Sequence, residues 1–415
     1  MFQSISIVLL VVALFSLFNY RVLKMPNSIG LMIFGIVLAV LITLSQGISM
    51  PLYTFFCNLV NDANFAELLF GSLLSFLLFA GSIHVNYTLL LKQKKFILSF
   101  ATLSVLISTV LVGSLLYGVS YWLNLNLEFV DCLLFGALIS PTDPVAALAI
   151  LGKTNVSKDI KMDIEGESLF NDGIGVIVFS GILLWAKSMG LEGGEGGLGS
   201  EILELFLVEV IGGVVYGLLI GYLGFKLLKA SKNNSELKIM VSVAIAAGGY
   251  AIALMIGVSG PLAMVVAGIM VGQKLHLHRE DPNKPSSFTD FWKVLDEMLN
   301  GILFLLIGLS IHLIVFSLEY LLLTFVVIIL VLVSRSISVA IPYNFLKKKK
   351  KEKGALALLT WGGLRGGISL GLAMSLPESD AKDVIVLITF AVVAFSIILQ
   401  GLSIEKLAKH FENSN

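Results

Sequence analysis

The chain has 415 residues, of which 57% are hydrophobic and 13% are charged, and its mean hydropathy is +0.95. Because a soluble domain carries about 25% charged residues, this composition excludes a soluble globular protein and indicates a polytopic membrane protein. The formal net charge is zero, and the sequence lacks the GxxxxGK[ST] and HExxH patterns, which argues against an ATPase or a zinc protease.

Runs of about 20 apolar residues indicate helices that can span a bilayer. Thirteen such helices are predicted, so the fold class is an all-α polytopic membrane protein. Their predicted bounds are 4–20, 27–45, 66–83, 96–122, 129–151, 164–187, 203–225, 237–255, 258–272, 297–316, 320–345, 355–376 and 382–404. We assign residues 1–405 to one membrane domain and residues 406–415 to a short cytoplasmic tail.

The segments between these helices alternate in charge. Every second segment is basic, and the most basic is the lysine run at 347–353, whereas the intervening segments are acidic or neutral. Basic loops stay in the cytoplasm. We therefore expect a multi-pass protein of the plasma (inner) membrane with its N-terminus outside and its C-terminus in the cytoplasm.

The fifth predicted helix carries two prolines and a carboxylate inside an apolar run. Pro144 removes a backbone donor, and Pro141 disfavours helical geometry in the residue before it, so the helix is predicted to open here. Opened backbone in a membrane must be buried in protein or line a cavity. Carboxylate, hydroxyl and carbonyl oxygens suit hard cations, so Thr142 and Asp143 are predicted ligands of Na⁺. The alternative is a proline kink with Asp143 as an N-cap.

The sixth predicted helix presents a polar face. Glu167, Ser168, Asn171 and Asp172 lie at positions i, i+1, i+4 and i+5, which places them on neighbouring stripes of one helix. A charge at this depth costs about 3 kcal/mol on insertion scales, so such residues usually serve a function. Since burial favours the neutral form of a carboxyl group, Asp172 is predicted to hold either a proton or a cation. Glu165 lies nearer the cytoplasmic end and is interpreted as interfacial.

Four glycines flank Arg365 in the twelfth predicted helix, so this helix is also predicted to be broken. Helices five and twelve are each fifth in a six-helix unit if the units are helices 1–6 and 8–13. Helix seven then links the units and inverts the second one. Inverted repeats whose interrupted helices meet at the midplane are typical of alternating-access transporters.

Arg335 lies in the apolar run of the eleventh helix. An unpaired buried charge is strongly destabilising, so Arg335 needs a partner. We expect a structural ion pair with Glu167, the buried carboxylate that ion binding needs least. Arg365 is the alternative partner of Glu167.

Five motifs resemble those of the sodium/proton antiporters of the NhaP and NHE type. They are TDPVA at 142–146, EGESLFND at 165–172, SGPLAMVVAG at 259–268, DEMLNGILFLLIGL at 296–309 and GGLRGG at 362–367. The resemblance covers essentially the whole membrane domain. It implies a thirteen-helix fold in which broken helices five and twelve cross, and it implies a homodimer.

The resemblance also implies roles for single residues. Asp172 is similar to the proton-carrying aspartate of an Asn–Asp pair, and Asn171 is similar to its partner. Asp143, Thr142 and Ser168 complete the implied Na⁺ ligands with Asp172, Glu167 with Arg335 resembles an ion pair of the family, and Arg365 is expected to stabilise the broken helix. This chain departs from some relatives at Ala80, where they place a carboxylate on helix three; His84 lies one turn further on.

The leading hypothesis is therefore a secondary transporter rather than an enzyme. It exchanges Na⁺ (or Li⁺) for H⁺, and because the amide of Asn171 cannot titrate, one cation is expected to move against one proton. A K⁺/H⁺ antiporter that uses the same site is the alternative, and a passive cation channel is less favoured. The expected partners are the two ions, the bilayer and a second copy of the chain, with no cofactor and no nucleic acid.

Overall fold

The computed structural model describes residues 2–47, 49–51, 53–54, 57–58, 65–125, 127–189, 198–231, 234–277, 287–313, 319–346, 352 and 354–412. The regular elements within these residues are helices, apart from one isolated β-bridge. Most of the predicted lysine run at 347–353, and the last three residues of the predicted tail, lie outside the described residues.

The first half of the chain forms helices at the positions of the predicted apolar runs. They are α1 (Phe2–Phe18, continued by the π-helix Asn19–Leu23), α2 (Asn27–Ser45), α3 (Phe65–Leu68, Leu69–Leu73 and Leu74–Ile83), α4 (Tyr87–Ser99, Phe100–Ser104 and Val105–Trp122), α5a (Phe129–Ile139), α5b (Val145–Leu151), α6 (Lys158–Met189) and α7 (Leu198–Ala230).

The second half continues in the same way. Its helices are α8 (Ser235–Met255), α9 (Gly260–Leu277), α10 (Ser287–Leu309, followed by the 3₁₀ turn Ser310–Leu313), α11 (Glu319–Leu346), α12a (Ala355–Gly362), α12b (Gly367–Met374) and α13 (Asp380–Ala394, Phe395–Gln400 and Gly401–Glu412). With each broken helix taken as one unit, the described residues hold the thirteen helices that were predicted. Nine helices of the described part are long and apolar enough to cross a membrane by themselves.

Several helix ends differ from their predicted positions; α10 begins at Ser287 rather than at 297 and α6 at Lys158 rather than at 164, and two further differences have a visible cause. Helix α4 begins at Tyr87 rather than at 96, because the Asn86 side chain caps it by accepting a hydrogen bond from the Leu89 backbone N–H at 3.1 Å. Helix α13 continues to Glu412, so the described part of the predicted tail is helical. Its last residue accepts a hydrogen bond from the Asn155 backbone N–H at 2.6 Å, which attaches the tail to the connection after α5b.

The two broken helices meet at their interruptions. Helix α5 is interrupted between Ile139 and Val145, and α12 is interrupted between Gly362 and Gly367. The Asp143 backbone N–H donates to the Leu364 carbonyl at 2.8 Å in an antiparallel bridge. The crossing of helices five and twelve is therefore confirmed, and backbone groups that lost their helical partners bind each other instead.

The glycines of α7 allow close packing. Gly213, Gly217 and Gly221 recur every four residues, which predicts one small-residue face. A methyl group added at Gly217 would lie 2.7 Å from the Ala263 carbonyl of α9, and one added at Gly213 would lie 2.9 Å from the Ser259 carbonyl. The packing interpretation of this spacing is confirmed.

Helix α10 is anchored by a tryptophan near its beginning. Trp292 is fully buried, and its indole N–H donates to the Ser242 hydroxyl of α8 at 3.0 Å. Its ring centroid lies 4.9 Å from that of Phe79 on α3. These contacts join three helices and hold the next turn of α10 in a defined position.

Candidate functional site

Arg365 holds the α5 interruption open. The break leaves carbonyl groups without helical partners, and Arg365 Nη1 donates to the carbonyls of Ser140 at 2.6 Å and Pro141 at 3.0 Å. The Arg365 backbone N–H donates in turn to the Ser396 hydroxyl at 2.9 Å. The guanidinium of α12 therefore satisfies freed backbone groups of α5 inside the protein, where an unsatisfied polar group would cost free energy.

A hydrogen-bonded network joins the α5 interruption to α6. Asn171 Oδ1 accepts from the Thr142 backbone N–H at 3.3 Å, and Asn171 Nδ2 donates to Thr142 Oγ1 at 2.8 Å. Thr142 Oγ1 also lies 2.9 Å from Ser168 Oγ. Thr142, Ser168 and Asn171 are all buried. Both ends of the Asn171 amide thus bind Thr142, the oxygen at its backbone N–H and the nitrogen at its hydroxyl.

Two carboxylates line a cavity of about 330 Å³ beside this network. Asp143 comes from the interruption of α5 and Asp172 from α6, and both are half-buried because the cavity reaches them. Asp143 Oδ1 accepts a hydrogen bond from the Val145 backbone N–H at 2.9 Å, at the start of α5b. The Asp143 backbone N–H donates to the Leu364 carbonyl in the interruption of α12. Asp143 therefore connects the two broken helices.

The described residues place no basic side chain in a salt bridge with either Asp143 or Asp172. Both carboxylates face the same cavity. The hydroxyls of Thr142 and Ser168 also line the cavity, whereas Asn171 lies behind its wall. The arrangement therefore offers carboxylate and hydroxyl oxygens, which are the ligand types that hard cations prefer.

Gly366 allows the close approach of α12 to Asp143. A methyl group added at Gly366 would lie 2.5 Å from Asp143 Cβ and 2.6 Å from Asp143 Oδ2. No side chain fits there unless the carboxylate moves. The GGLRGG motif thus contributes both the arginine that binds the α5 carbonyls and the space that the aspartate occupies.

Glu167 lies on another side of α6 and is sealed from the cavity. Arg335 of α11 donates to both of its carboxylate oxygens, at 2.5 and 2.9 Å, and both side chains are nearly fully buried. Arg335 Nη2 also donates to the Leu359 carbonyl of α12a at 3.0 Å. Of the two partners considered for Glu167, the structure selects Arg335, and this contact connects α6, α11 and α12a.

Five further acidic or polar side chains line the cavity without having been assigned to the ion site from the sequence: His84, Glu165, Asp296, Asn300 and Ser369. Glu165 lies one turn before Ser168 on α6, and Asp296 and Asn300 come from α10. The sequence pointed to Asp296 and Asn300, because both lie in DEMLNG at the start of the motif at 296–309. Their apolar neighbours, however, predicted only a membrane-spanning helix. Ala80 is buried, and His84 lines the cavity.

Comparisons with known proteins agree with this geometry. The chain matches the family described as sodium/hydrogen exchanger, transmembrane, over residues 7–410. It is 36% identical to the Na(+)/H(+) antiporter NhaP of Pseudomonas aeruginosa over 400 residues, which cover 94% of this chain and 92% of that protein. It is 31% identical to the Na(+)/H(+) antiporter NhaH of Halobacillus aidingensis over 394 residues, or 94% and 93% of the two chains.

A solved structure has the same fold. The sodium proton antiporter MjNhaP1 of Methanocaldococcus jannaschii superposes with a TM-score of 0.75 at 20% identity, covering 99% of each chain. This likeness concerns the fold, since the identity is low. The match to the family along nearly the whole length and the 36% identity to a relative identify this chain as a member of the sodium/hydrogen exchanger family.

Proposed function

We propose that the protein is a secondary active antiporter that exchanges Na⁺ for H⁺ across the membrane. The observation that carries the proposal is the pair Asp143 and Asp172, which face one cavity at the crossing of two broken helices. The two relatives named above are Na(+)/H(+) antiporters, which supports this proposal. Catalysis of a chemical reaction is not part of the proposed role.

Exchange arises because a proton and Na⁺ compete for one carboxylate, that of Asp172. Asp172 binds either a proton or Na⁺, because its negative charge stabilises one cation in a medium of low polarity. Asp143, Thr142 and Ser168 supply further oxygen ligands when Na⁺ is bound. Asn171 positions Thr142 rather than touching the ion, since both ends of its amide bind Thr142. Arg365 keeps the interruption of α5 in place.

Alternating access would move this site between the two sides of the membrane. In the present structure the cavity extends from Asp172 past Glu165 to His84, at the end of α3 that precedes the basic residues of α4. By the distribution of basic loops this side is cytoplasmic. We infer that the structure represents an inward-facing state in a plasma (inner) membrane, with the N-terminus outside.

Cation selectivity is tested with purified protein in proteoliposomes that contain a pH-sensitive dye and a preset proton gradient. Addition of Na⁺ or Li⁺ is expected to release protons from the vesicles, and the same concentration of K⁺ is expected to release few. Proton release by K⁺ at equal or greater rates would favour the K⁺/H⁺ alternative. Unitary currents in a planar bilayer would instead indicate a channel.

Exchange is proposed to be electroneutral, with one Na⁺ for one H⁺. Asn171 cannot titrate, so Asp172 alone alternates between a proton and a cation, and each half-cycle carries the same charge. A net charge per cycle would couple exchange to the membrane potential by about 2.3 kcal/mol per 100 mV. Vesicles with an imposed K⁺ diffusion potential and no pH gradient should therefore not accumulate Na⁺. Uptake driven by the potential alone would make Asp143 the second proton carrier.

A homodimer is also proposed, from the family resemblance. Exposed apolar side chains are frequent on α1 and α7, where they contact lipid or a second copy. Cross-linking in native membranes followed by mass determination in detergent is expected to give twice the monomer mass. A monomeric mass under both conditions would contradict the proposal without affecting the ion site.

A further inference from the structure

Two cavities adjoin at α10, and only the first contains the ion site. The second cavity, of about 910 Å³, lies between the end of α1 and the middle of α10. The two cavities share four lining residues, Val145, Ala149, Asp296 and Asn300. Among the described acidic side chains that line either cavity, Asp296 is the one that lines both.

The carboxylate of Asp296 is held in place by a neutral donor. Asn300 Nδ2 donates to the Asp296 carbonyl at 2.9 Å and to its Oδ1 at 3.1 Å, and Asn300 is buried. The anchored Trp292 lies one turn before Asp296 and holds the helix. An amide donor orients a carboxylate without forming an ion pair with it, so the Asp296 carboxylate stays available to a cation at the junction.

The basic side chains around the second cavity explain why a carboxylate at position 296 affects cation entry. Arg21, Lys24 and Lys153 line that cavity together with the exposed Glu297. The excess of positive charge raises the energy of a cation inside it. The carboxylate of Asp296 attracts a cation at the point where the second cavity meets the first. Asp143 lines the first cavity together with Asp296, so a cation that moves on from the junction meets a second carboxylate there.

We propose that Asp296 is a cation-docking residue between the second cavity and the ion site, and that Asn300 positions it. This inference rests on the proposed exchange function. A cation that passes the basic side chains reaches Asp296 before it reaches Asp143 and Asp172. Asp296 raises the local concentration of the cation and takes no part in its exchange for a proton. It therefore controls the apparent KM for Na⁺ and leaves the maximal rate to Asp172.

The test measures Na⁺-dependent proton release in proteoliposomes for Asp296→Asn, with Asp296→Glu as the conservative variant and Glu297→Gln as the matched control. Glu297 is the adjacent residue, is exposed, and lines only the second cavity. We expect Asp296→Asn to raise the KM for Na⁺ about tenfold at low ionic strength. The maximal rate should stay within about twofold of the wild-type value, because removing one docking charge leaves the exchange step intact.

Two readouts separate docking from a structural effect. The difference in KM should shrink as choline chloride is added, since salt screens charges that water reaches. Lys153→Gln should lower the KM because it removes repulsion, and Asp296→Glu should restore most of the affinity. A lower thermal midpoint with an unchanged KM would instead assign Asp296 a structural role.

The outcomes distinguish the two proposals. If the wild-type protein exchanges Na⁺ for H⁺ and Asp296→Asn keeps the wild-type KM, cations enter by another route and this inference is overturned. If the wild-type protein shows no cation-dependent proton release, the proposed function itself fails. A raised KM in Glu297→Gln equal to that in Asp296→Asn would show a general surface-charge effect and would also overturn the inference.

Discussion

Two carboxylates five positions apart on α6 have opposite surroundings. Glu167 is 2% exposed and is bound at both oxygens by Arg335. Asp172 is half-buried beside a cavity, and the described residues offer it no salt-bridge partner. A carboxylate bound at both oxygens by an arginine is already neutralised by that partner and does not attract a second cation. An unpaired carboxylate in a cavity can exchange the cation that neutralises it, so one helix supplies both a structural and an exchangeable charge.

The largest effect is expected from Asp172→Asn, which removes the exchangeable charge. Proton release in proteoliposomes should fall to background for every cation tested, because an amide neither carries a proton nor neutralises Na⁺. The thermal midpoint should not fall, since no basic partner loses its counter-charge. The control is Asp159→Asn at the beginning of the same helix, where the carboxylate forms a partly exposed pair with Lys92 at 3.5 Å. Exchange at the wild-type rate in Asp172→Asn would place the proton carrier elsewhere.

The structural role of the Glu167–Arg335 pair is tested by measuring the free energy of unfolding. Arg335→Ala should lower the free energy of unfolding by about 3–5 kcal/mol, because it leaves the Glu167 carboxylate buried without a partner. Adding Glu167→Gln to this variant should restore part of the loss. Thermal unfolding of the wild type, both single variants and the double variant measures the coupling. Strictly additive effects would mean that the two side chains do not interact in the membrane.

Asp143 should behave more like Asp172 than like Glu167. Asp143→Asn is expected to raise the KM for Na⁺ about tenfold, since one of the two negative charges at the cavity is removed. Some exchange should remain at high Na⁺, because Asp172 still binds a proton or a cation. The measurement is the Na⁺ dependence of proton release at constant ionic strength. An unchanged KM would contradict the role of Asp143 as a ligand.

The smallest effect is expected at Gly366. Gly366→Ala forces the Asp143 side chain to move, because the added methyl group would lie 2.6 Å from Oδ2. We expect an increase in KM of about threefold, smaller than for Asp143→Asn because the charge is kept. Gly248→Ala on α8 is the control, since a methyl group there contacts nothing within 4 Å. Equal effects of the two substitutions would show that Gly366 does not position Asp143.

Much of this architecture could be predicted from local patterns. The thirteen helices follow from the lengths of apolar runs, and both interruptions follow from proline or glycine near a charged residue. The α6 face follows from helical periodicity. The ends of α4 and α13 were less predictable, because polar residues can extend a helix once capping or tertiary hydrogen bonds support them.

The sequence by itself determined which residues stand at the depth of the membrane and which face of each helix carries them, because backbone chemistry and periodicity act over a few residues. From the sequence we expected Glu167 to pair with Arg335 and kept Arg365 as the alternative, and only the tertiary structure decided between them. It also decided that Arg365 binds the α5 carbonyls and that Asp296 joins two cavities. These assignments depend on how helices pack, and helix packing is a property of side chains distant in sequence. The same carboxylate chemistry therefore becomes a fixed charge or an exchangeable one according to its neighbours.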